Sequence, residues 1–219
     1  MTLRRGLARQ AQISIAVSDR GAIAIAWMHQ RRTEGGETGP AVHEARLRPV
    51  RRGFGDVVRL ARYDAIAPPG RQAVETAFAG DRAVLAWQGL QRASDSGSFD
   101  EPVFAVRSGA LTRDGLDDER TISPRGTSAV LDDLAVARTE VAVAWRLPNV
   151  AGGGVLGEVG AAVGAVGDEV RWGAPEPVSP AGQLAGEAEL AWGADGGLSA
   201  IWRARRVAEG AEAAYVARR

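Results

Sequence analysis

The feature that most constrains this chain is a tryptophan-bearing segment that recurs along its whole length. Four of the six tryptophans close a short apolar segment, and these four lie 60, 58 and 57 residues apart. The segments are Ile25-Ala26-Trp27, Leu85-Ala86-Trp87, Val143-Ala144-Trp145 and Ala200-Ile201-Trp202. Self-similarity at a fixed period indicates a repeat architecture, in which each copy is one supersecondary unit that packs on its neighbours.

A second pattern lies upstream of each tryptophan and stays in phase with it. Four tetrads share Ala at their third position: Ser14-Ile15-Ala16-Val17, Glu75-Thr76-Ala77-Phe78, Asp133-Leu134-Ala135-Val136 and Glu189-Leu190-Ala191-Trp192. Turn-forming residues separate tetrad from tryptophan, as in Ser18-Asp19-Arg20-Gly21. Short apolar runs on both sides of such a turn predict a β-hairpin, so each repeat opens with two strands, A and B.

Two further strands are predicted in the repeats. Third strands fall near residues 42–47, 103–107, 159–166 and 213–217, and fourth strands near 57–60, 119–123 and 170–178. Four antiparallel strands joined by tight turns form the blade of a β-propeller. The sequence therefore predicts one all-β domain over residues 1–219, with four four-stranded blades at about 12–64, 73–125, 131–182, and 187–219 plus 1–5.

The last repeat has no fourth strand of its own. By the spacing of the other repeats, Thr2 to Arg5 lie where such a strand would precede the first blade. We expect this N-terminal strand to complete the C-terminal blade, which would close the ring and cover its edges. Two alternatives stay open: half of an eight-bladed ring formed by dimerisation, or a fragment of a longer propeller.

The segments Ala16–Trp27 and Trp172–Ser179 resemble the sialidase-like (BNR-type) repeat propellers. The resemblance covers the whole chain, concerns blade architecture, and implies a carbohydrate-active glycoside hydrolase as one alternative function. The family spaces the Ser, Asp and Gly of its Asp-box alternately, whereas Ser18 and Asp19 are adjacent here. Sialidases also use a Tyr–Glu pair, and neither Tyr63 nor Tyr215 lies in a matching motif. No catalytic motif matches.

The first position of the tetrad supplies the candidate site, a column formed by Ser14, Glu75, Asp133 and Glu189. Strand A is the innermost strand of a propeller blade, so the column is expected at the axial mouth, where it would bind a ligand or ion. Clustered carboxylates suit Ca²⁺, with Glu75, Asp133 and Glu189 as ligands. The alternative is that each acid only caps loop amides or faces solvent at the start of its strand.

Other charged groups carry weaker signals. His29 and His43 are the only histidines and have no zinc-site spacing, so ordinary strand positions are expected for them. The acidic stretches Asp95–Glu101 and Asp117–Glu119 are interpreted as solvated loops because neither has EF-hand spacing.

Charge and cysteine content narrow the function classes. The formal net charge is zero and there is no cysteine, so neither nucleic-acid binding nor a thiolate metal site is expected. No apolar run reaches the roughly 18 residues of a membrane span, so no membrane partner is expected. We expect a cytoplasmic protein if Met1 is native and a secreted one if an export signal was removed.

These observations favour a non-enzymatic scaffold propeller that binds an unidentified ligand or protein, as a monomer or a homodimer. The alternatives are the carbohydrate-active enzyme and an oligomerisation module.

Overall fold

The computed structural model describes residues 12–32, 38–63, 74–91, 103–148, 156–205 and 212–219. Every regular element in these ranges is a β-strand, and each strand pairs antiparallel with its partner. These ranges contain no helix, and so none with the length and apolar character to cross a bilayer.

The strands follow the predicted repeats, which we name units 1 to 4. Unit 1 contains β1 (Gln12–Val17), β2 (Ile23–Arg32), β3 (Thr38–Arg48) and β4 (Val58–Tyr63). Unit 2 contains β5 (Val74–Ala79), β6 (Arg82–Gln91), β7 (Val103–Leu111) and β8 (Leu116–Thr121). Unit 3 contains β9 (Val130–Ala137), β10 (Glu140–Pro148), β11 (Gly157–Val166), β12 (Val170–Trp172) and β13 (Glu176–Pro177). Unit 4 contains β14 (Leu184–Trp192), β15 (Leu198–Arg205) and β16 (Glu212–Arg218).

Sheet topology matches the predicted strand order within each repeat. Units 1 and 2 are four-stranded sheets in chain order, while units 3 and 4 join into one eight-stranded sheet through the pair Gly157 and Ala185. The predicted fourth strand of unit 3 is split into β12 and β13, since Gly173 and Pro175 interrupt it. Within the described residues, no sheet closes on itself.

The A–B hairpins turn where the sequence placed turn chemistry. In the first hairpin Gly21 adopts φ 84°, which a residue without Cβ reaches at no steric cost. The Ser18 hydroxyl accepts a hydrogen bond of 3.0 Å from the Ala22 amide and closes the same turn. The turn chemistry therefore sets the register in which β1 and β2 pair.

Three apolar clusters lie between consecutive units and form most of the core. In each one, the repeated tryptophan of one unit packs on small residues of the unit before it. Trp87 lies with Ala24 and Ala26, Trp145 with Val84 and Ala86, and Trp202 with Ala144. These three indoles are at most 3% exposed. The predicted place of the tryptophans between adjacent sheets is confirmed at these three junctions.

The two ends of the array do not meet in the described structure. Strands β1, β5, β9 and β14 pack side by side in that order, but β1 forms no comparable contact with β14. Ile15 on β1 is 61% exposed and Ile201 on β15 is 47% exposed. Ring closure is therefore not seen, and Thr2 to Arg5, expected to complete the last blade, lie outside the described residues.

Candidate functional site

The four column residues occupy one register position on adjacent strands. Ser14 pairs with Ala26 on β2, and Glu75, Asp133 and Glu189 pair with the corresponding residues of β6, β10 and β15. Since β1, β5, β9 and β14 lie side by side, the column runs across the units at one level. The repeat alignment thus placed these residues at equivalent positions.

The column joins each unit to the next through one repeated hydrogen bond. The Ser14 Oγ accepts from the backbone amide of Thr76, at 3.0 Å. The Glu75 carboxyl group accepts from the Leu134 amide. Asp133 Oδ2 accepts from the Leu190 amide, at 2.6 Å. The side chain at the first tetrad position therefore caps the amide at the second tetrad position of the following unit.

Glu75 and Asp133 also contact one another. Burial, followed by repulsion from Asp133, raises the pKa of Glu75 to about 8. Burial likewise raises the pKa of Asp133, opposed by the amides of Leu190 and Leu134. A protonated Glu75 carboxyl donates a hydrogen bond to Asp133, whose two oxygens also accept the amides of Leu134 and Leu190. The pair is a proton-sharing link between units 2 and 3.

The described residues lend no support to the expected calcium site. They contain no group of three His, Cys, Asp or Glu side chains placed to hold a metal ion. Ca²⁺ takes six to eight oxygen ligands, whereas both Asp133 oxygens already accept backbone amides. Ligand binding by the column as a whole stays a prediction.

A buried ion pair next to the column escaped sequence reasoning. The Arg146 Nε lies 2.8 and 2.9 Å from the two carboxylate oxygens of Asp132, and both residues are at most 5% exposed. Asp132 Oδ2 also accepts from the Ala188 amide of unit 4, at 3.2 Å. Burial raises the pKa of Asp132, and the Arg146 guanidinium opposes that rise. The group is a second polar link between units 3 and 4.

A β-bulge explains why this ion pair was missed. The register of β9 against β10 shifts between Ala144 and Trp145, so that Asp133 pairs with Ala144 while Leu131 pairs with Trp145. Asp132 is the extra residue and leaves the alternation of the strand. The only local signal was the Asp132-Asp133 doublet at the start of an otherwise apolar strand.

The two histidines lie in the packing of unit 1. His43 is fully buried with its ring 5.2 Å from that of Tyr63, and burial lowers its pKa to about 4. His29 Nε2 is 3.6 Å from the Glu44 carboxylate. The Tyr63 hydroxyl donates to the Gln88 carbonyl oxygen of unit 2. The Tyr63 bond thus links units 1 and 2, and both histidines lie at strand positions, as expected.

The remaining acidic candidates divide between the described and undescribed parts of the chain. Asp118 contacts the Arg82 guanidinium at 2.7 Å and accepts from the Val170 amide at 3.1 Å, so it is a structural link and not a solvated turn residue. Glu119 contacts Arg107 at 3.0 Å. The stretch Asp95–Glu101 lies outside the described residues.

A cleft of about 490 Å³ opens between units 2 and 3 at their hairpin turns. Its charged lining includes Asp81, Arg82 and Asp168. Arg82 is already bonded to the Asp118 carboxylate and to the Asp168 carbonyl oxygen. The cleft therefore offers a ligand few unengaged polar groups.

Comparison with known proteins supports the fold and leaves the family open. No protein-family model matches the chain, and no curated protein matches it. Among solved structures, it is similar to an α-L-arabinanase of Penicillium chrysogenum complexed with arabinobiose, with a TM-score of 0.53 and 10% identity over 96% of this chain. The chain spans 62% of that protein. The WD40 domain of SCAP from fission yeast matches with a TM-score of 0.21 and 9% identity, over 97% of this chain and 67% of that one.

The likeness to the arabinanase, together with the antiparallel sheets, supports a β-propeller fold. It does not single out the sialidase-like repeats. At 10% identity it shows the fold and carries no residue assignment.

Proposed function

We propose that this chain is a non-enzymatic binding or scaffold propeller of four blades, and that it binds protein through the open face of unit 1. The observation that supports this most is apolar exposure on that face. Ile13, Ile15 and Val17 are 51%, 61% and 61% exposed. A contiguous apolar patch that is exposed to water indicates an interaction surface.

The engagement of Glu75 and Asp133, two of the three column acids, supports a non-enzymatic role. Glycoside hydrolysis needs two carboxyl groups that face the substrate from opposite sides of the bond to be cleaved. Glu75 and Asp133 instead share a proton, and backbone amides occupy them. Asp132 is held by Arg146 in the interior. None of these three carboxyl groups is placed to attack a bound sugar.

The alternative function is a carbohydrate-active enzyme, which the likeness to an arabinanase favours by fold alone. The experiment is to assay the purified chain with chromogenic arabinosides and sialosides, alongside the Glu75→Gln and Asp133→Asn variants. We expect no turnover above the buffer rate for any of the three proteins. Turnover by the wild type that falls at least tenfold in either variant would overturn the non-enzymatic proposal.

A matched control is Glu140→Gln, which removes an exposed carboxylate at the start of β10. Activity lost equally in this control would indicate a contaminating hydrolase or a general effect of charge. Only activity that depends on the column acids would count for the enzyme.

A further inference from the structure

Every internal junction pairs two different faces, which we name the Trp face and the Ala face. The Trp face of a unit carries its repeated tryptophan, and it packs on the Ala face of the preceding unit. Trp87, Trp145 and Trp202 represent the first face, and Ala26, Ala86 and Ala144, all 0% exposed, represent the second. Three junctions therefore repeat one head-to-tail contact.

Unit 1 presents a Trp face to which no described unit is bound. Pairing places Ile13 opposite Trp27, Ile15 opposite Ile25, and Val17 opposite Ile23, so all six side chains share this face. At the first internal junction the same six positions are held by five apolar residues and one threonine: Val74, Thr76, Phe78, Ala83, Leu85 and Trp87. Of these, Val74, Leu85 and Trp87 are at most 3% exposed, and Thr76, at the position of Ile15, is 8% exposed. The face has the composition of a buried junction.

Unit 4 presents the complementary Ala face. Ile201 occupies the position of Ala26, Ala86 and Ala144, and pairs with Val216 on β16. Ile201 is 47% exposed and Val216 is 65% exposed. The chain thus carries both halves of one junction, at opposite ends. The half on unit 1 is apolar, whereas the half on unit 4 carries Ile201 and Val216 beside the charged Arg203 and Arg218.

The groups of the repeated hydrogen bond also occur singly at the two ends, with the acceptor in unit 4 and the amide donor in unit 1. Glu189 is the column residue of unit 4, and no donor from the described residues is bonded to its carboxylate. The amides capped at the internal junctions belong to Thr76, Leu134 and Leu190, which pair with Leu85, Val143 and Ala200. Ile15 pairs with Ile25 in the same register, so its amide points out of β1 toward the open side.

We propose that the open Trp face of unit 1 binds the open Ala face of unit 4 in a second copy of this chain, and that Glu189 of one copy accepts the Ile15 amide of the other. Two copies joined in this way satisfy both ends of both chains and form a closed ring of eight units. A heterologous contact that closes leaves no apolar face uncovered. This inference deepens the proposed scaffold role by naming its partner.

A second copy is the occupant that the described geometry favours. The chain itself supplies the complementary face, with apolar residues and the carboxylate acceptor at the required register. In the described part of one chain the two faces do not meet, because β1 does not pack on β14 in the way that adjacent units pack on one another.

The first experiment measures mass by sedimentation equilibrium over a range of chain concentrations. We expect the wild type to reach twice the 23.0 kDa of the chain. Ile15→Asp and Ile201→Asp each place a charge in the junction and should weaken association at least tenfold. The matched control is Val50→Asp, which changes an exposed valine on the turn after β3 and should leave the dimer intact.

The second experiment tests the contact itself, using the absence of cysteine in the chain. Ile15→Cys and Glu189→Cys are made as separate proteins, mixed and oxidised, and we expect a covalent dimer that neither variant forms alone. Asp133→Cys/Leu190→Cys in one chain reproduces the same positions at an internal junction. It should form an intrachain disulfide and shows that the geometry permits the bond.

Three outcomes would overturn the second copy as partner. The first is a monomer at all concentrations, and the second is an Ile15→Cys/Glu189→Cys chain that closes a disulfide within itself. The third is a monomer that dimerises only when residues 1–11 are removed, which would assign the face to that segment. Hydrolysis that depends on the column acids would instead overturn the non-enzymatic role and leave the dimer standing.

Discussion

At the scale of single residues, the column shows how a repeated polar position serves the fold. Ser14, Glu75 and Asp133 differ in length and charge, yet each caps a backbone amide of the next unit. A buried amide without a partner costs free energy comparable to a lost hydrogen bond. The repeat therefore requires an acceptor at this position, and the chemistry of that acceptor varies.

The proton shared by Glu75 and Asp133 predicts how stability depends on pH. The folded pKa of Glu75 is about 8, above its ordinary value of 4.5, so the folded state binds the proton more tightly than the unfolded state. Its contribution to stability is fully present at acid pH and is lost as pH rises through about 8. Glu75→Gln keeps a neutral side chain and should unfold at a higher temperature than the wild type at alkaline pH.

The measurement for Glu75→Gln is thermal unfolding by circular dichroism from below pH 4.5 to above 8, with Glu140→Gln as the control. The advantage of Glu75→Gln over the wild type should shrink toward the acid end, where wild-type Glu75 is protonated in both states. A difference that is constant across the range would contradict the buried, proton-sharing pair.

At the scale of strands and sheets, the repeated tryptophans show how side-chain size sets the contacts between units. Trp145 packs into the cluster between units 2 and 3, and its ring lies over Gly160 on β11. A Cβ at Gly160 would come within 2.8 Å of the indole nitrogen. The glycine on the neighbouring strand is thus part of the site that receives the tryptophan.

Replacement of the repeated tryptophan by alanine should lower the free energy of unfolding by different amounts in different units. Trp145→Ala removes a ring that is 1% exposed and should lower the free energy of unfolding by about 3–5 kcal/mol. Trp27 is the equivalent tryptophan of unit 1; it lies on the open Trp face and is only partly buried. Trp27→Ala should therefore cost clearly less in chains dilute enough to be monomeric.

Guanidinium denaturation of the two tryptophan variants at low chain concentration checks this prediction. Trp27→Ala should also weaken self-association, which Trp145→Ala should not do once folded. Equal losses of unfolding free energy would mean that Trp27 is as buried as its counterparts and that the open face is already covered.

At the scale of the whole molecule, stability depends on the two uncovered faces, the Trp face of unit 1 and the Ala face of unit 4. Each internal junction buries a Trp face on an Ala face and adds a capped amide. When the two end faces are uncovered, the molecule lacks the stabilisation that one further junction would contribute. Association recovers it by mass action, and a species that binds only the folded state raises the apparent stability. Stability should therefore depend on how much chain is present.

This dependence is a prediction for the assembled protein. The midpoint of thermal unfolding should rise with wild-type chain concentration, because the folded chains associate and the unfolded chains do not. Ile201→Asp should unfold at one temperature whatever its concentration, and Val50→Asp should behave like the wild type. A wild-type midpoint that is independent of concentration would contradict the dimer.

Much of the architecture could be predicted from local patterns. The spacing of Trp27, Trp87, Trp145 and Trp202, with the Ser18–Gly21 turn and its counterparts, was sufficient to predict the A–B hairpins and the antiparallel sheets. The alternation of apolar and polar side chains along a strand and the residues of a turn depend on near neighbours in the sequence, so both can be predicted from the sequence alone. The equivalence of Ser14, Glu75, Asp133 and Glu189 followed from the same alignment.

The partners of those side chains were decided only in three dimensions. Whether Glu75 and Asp133 meet a ligand, or each other and the amides of the next unit, depends on how closely successive sheets approach. The pairing of Asp132 with Arg146 depends on a one-residue bulge. The openness of the ends depends on the angle accumulated over all units, which no single repeat encodes. The sequence by itself determined the strands and turns of one unit. The tertiary structure decided which residues of different units contact one another, because those residues lie far apart in the chain and meet only when the sheets pack.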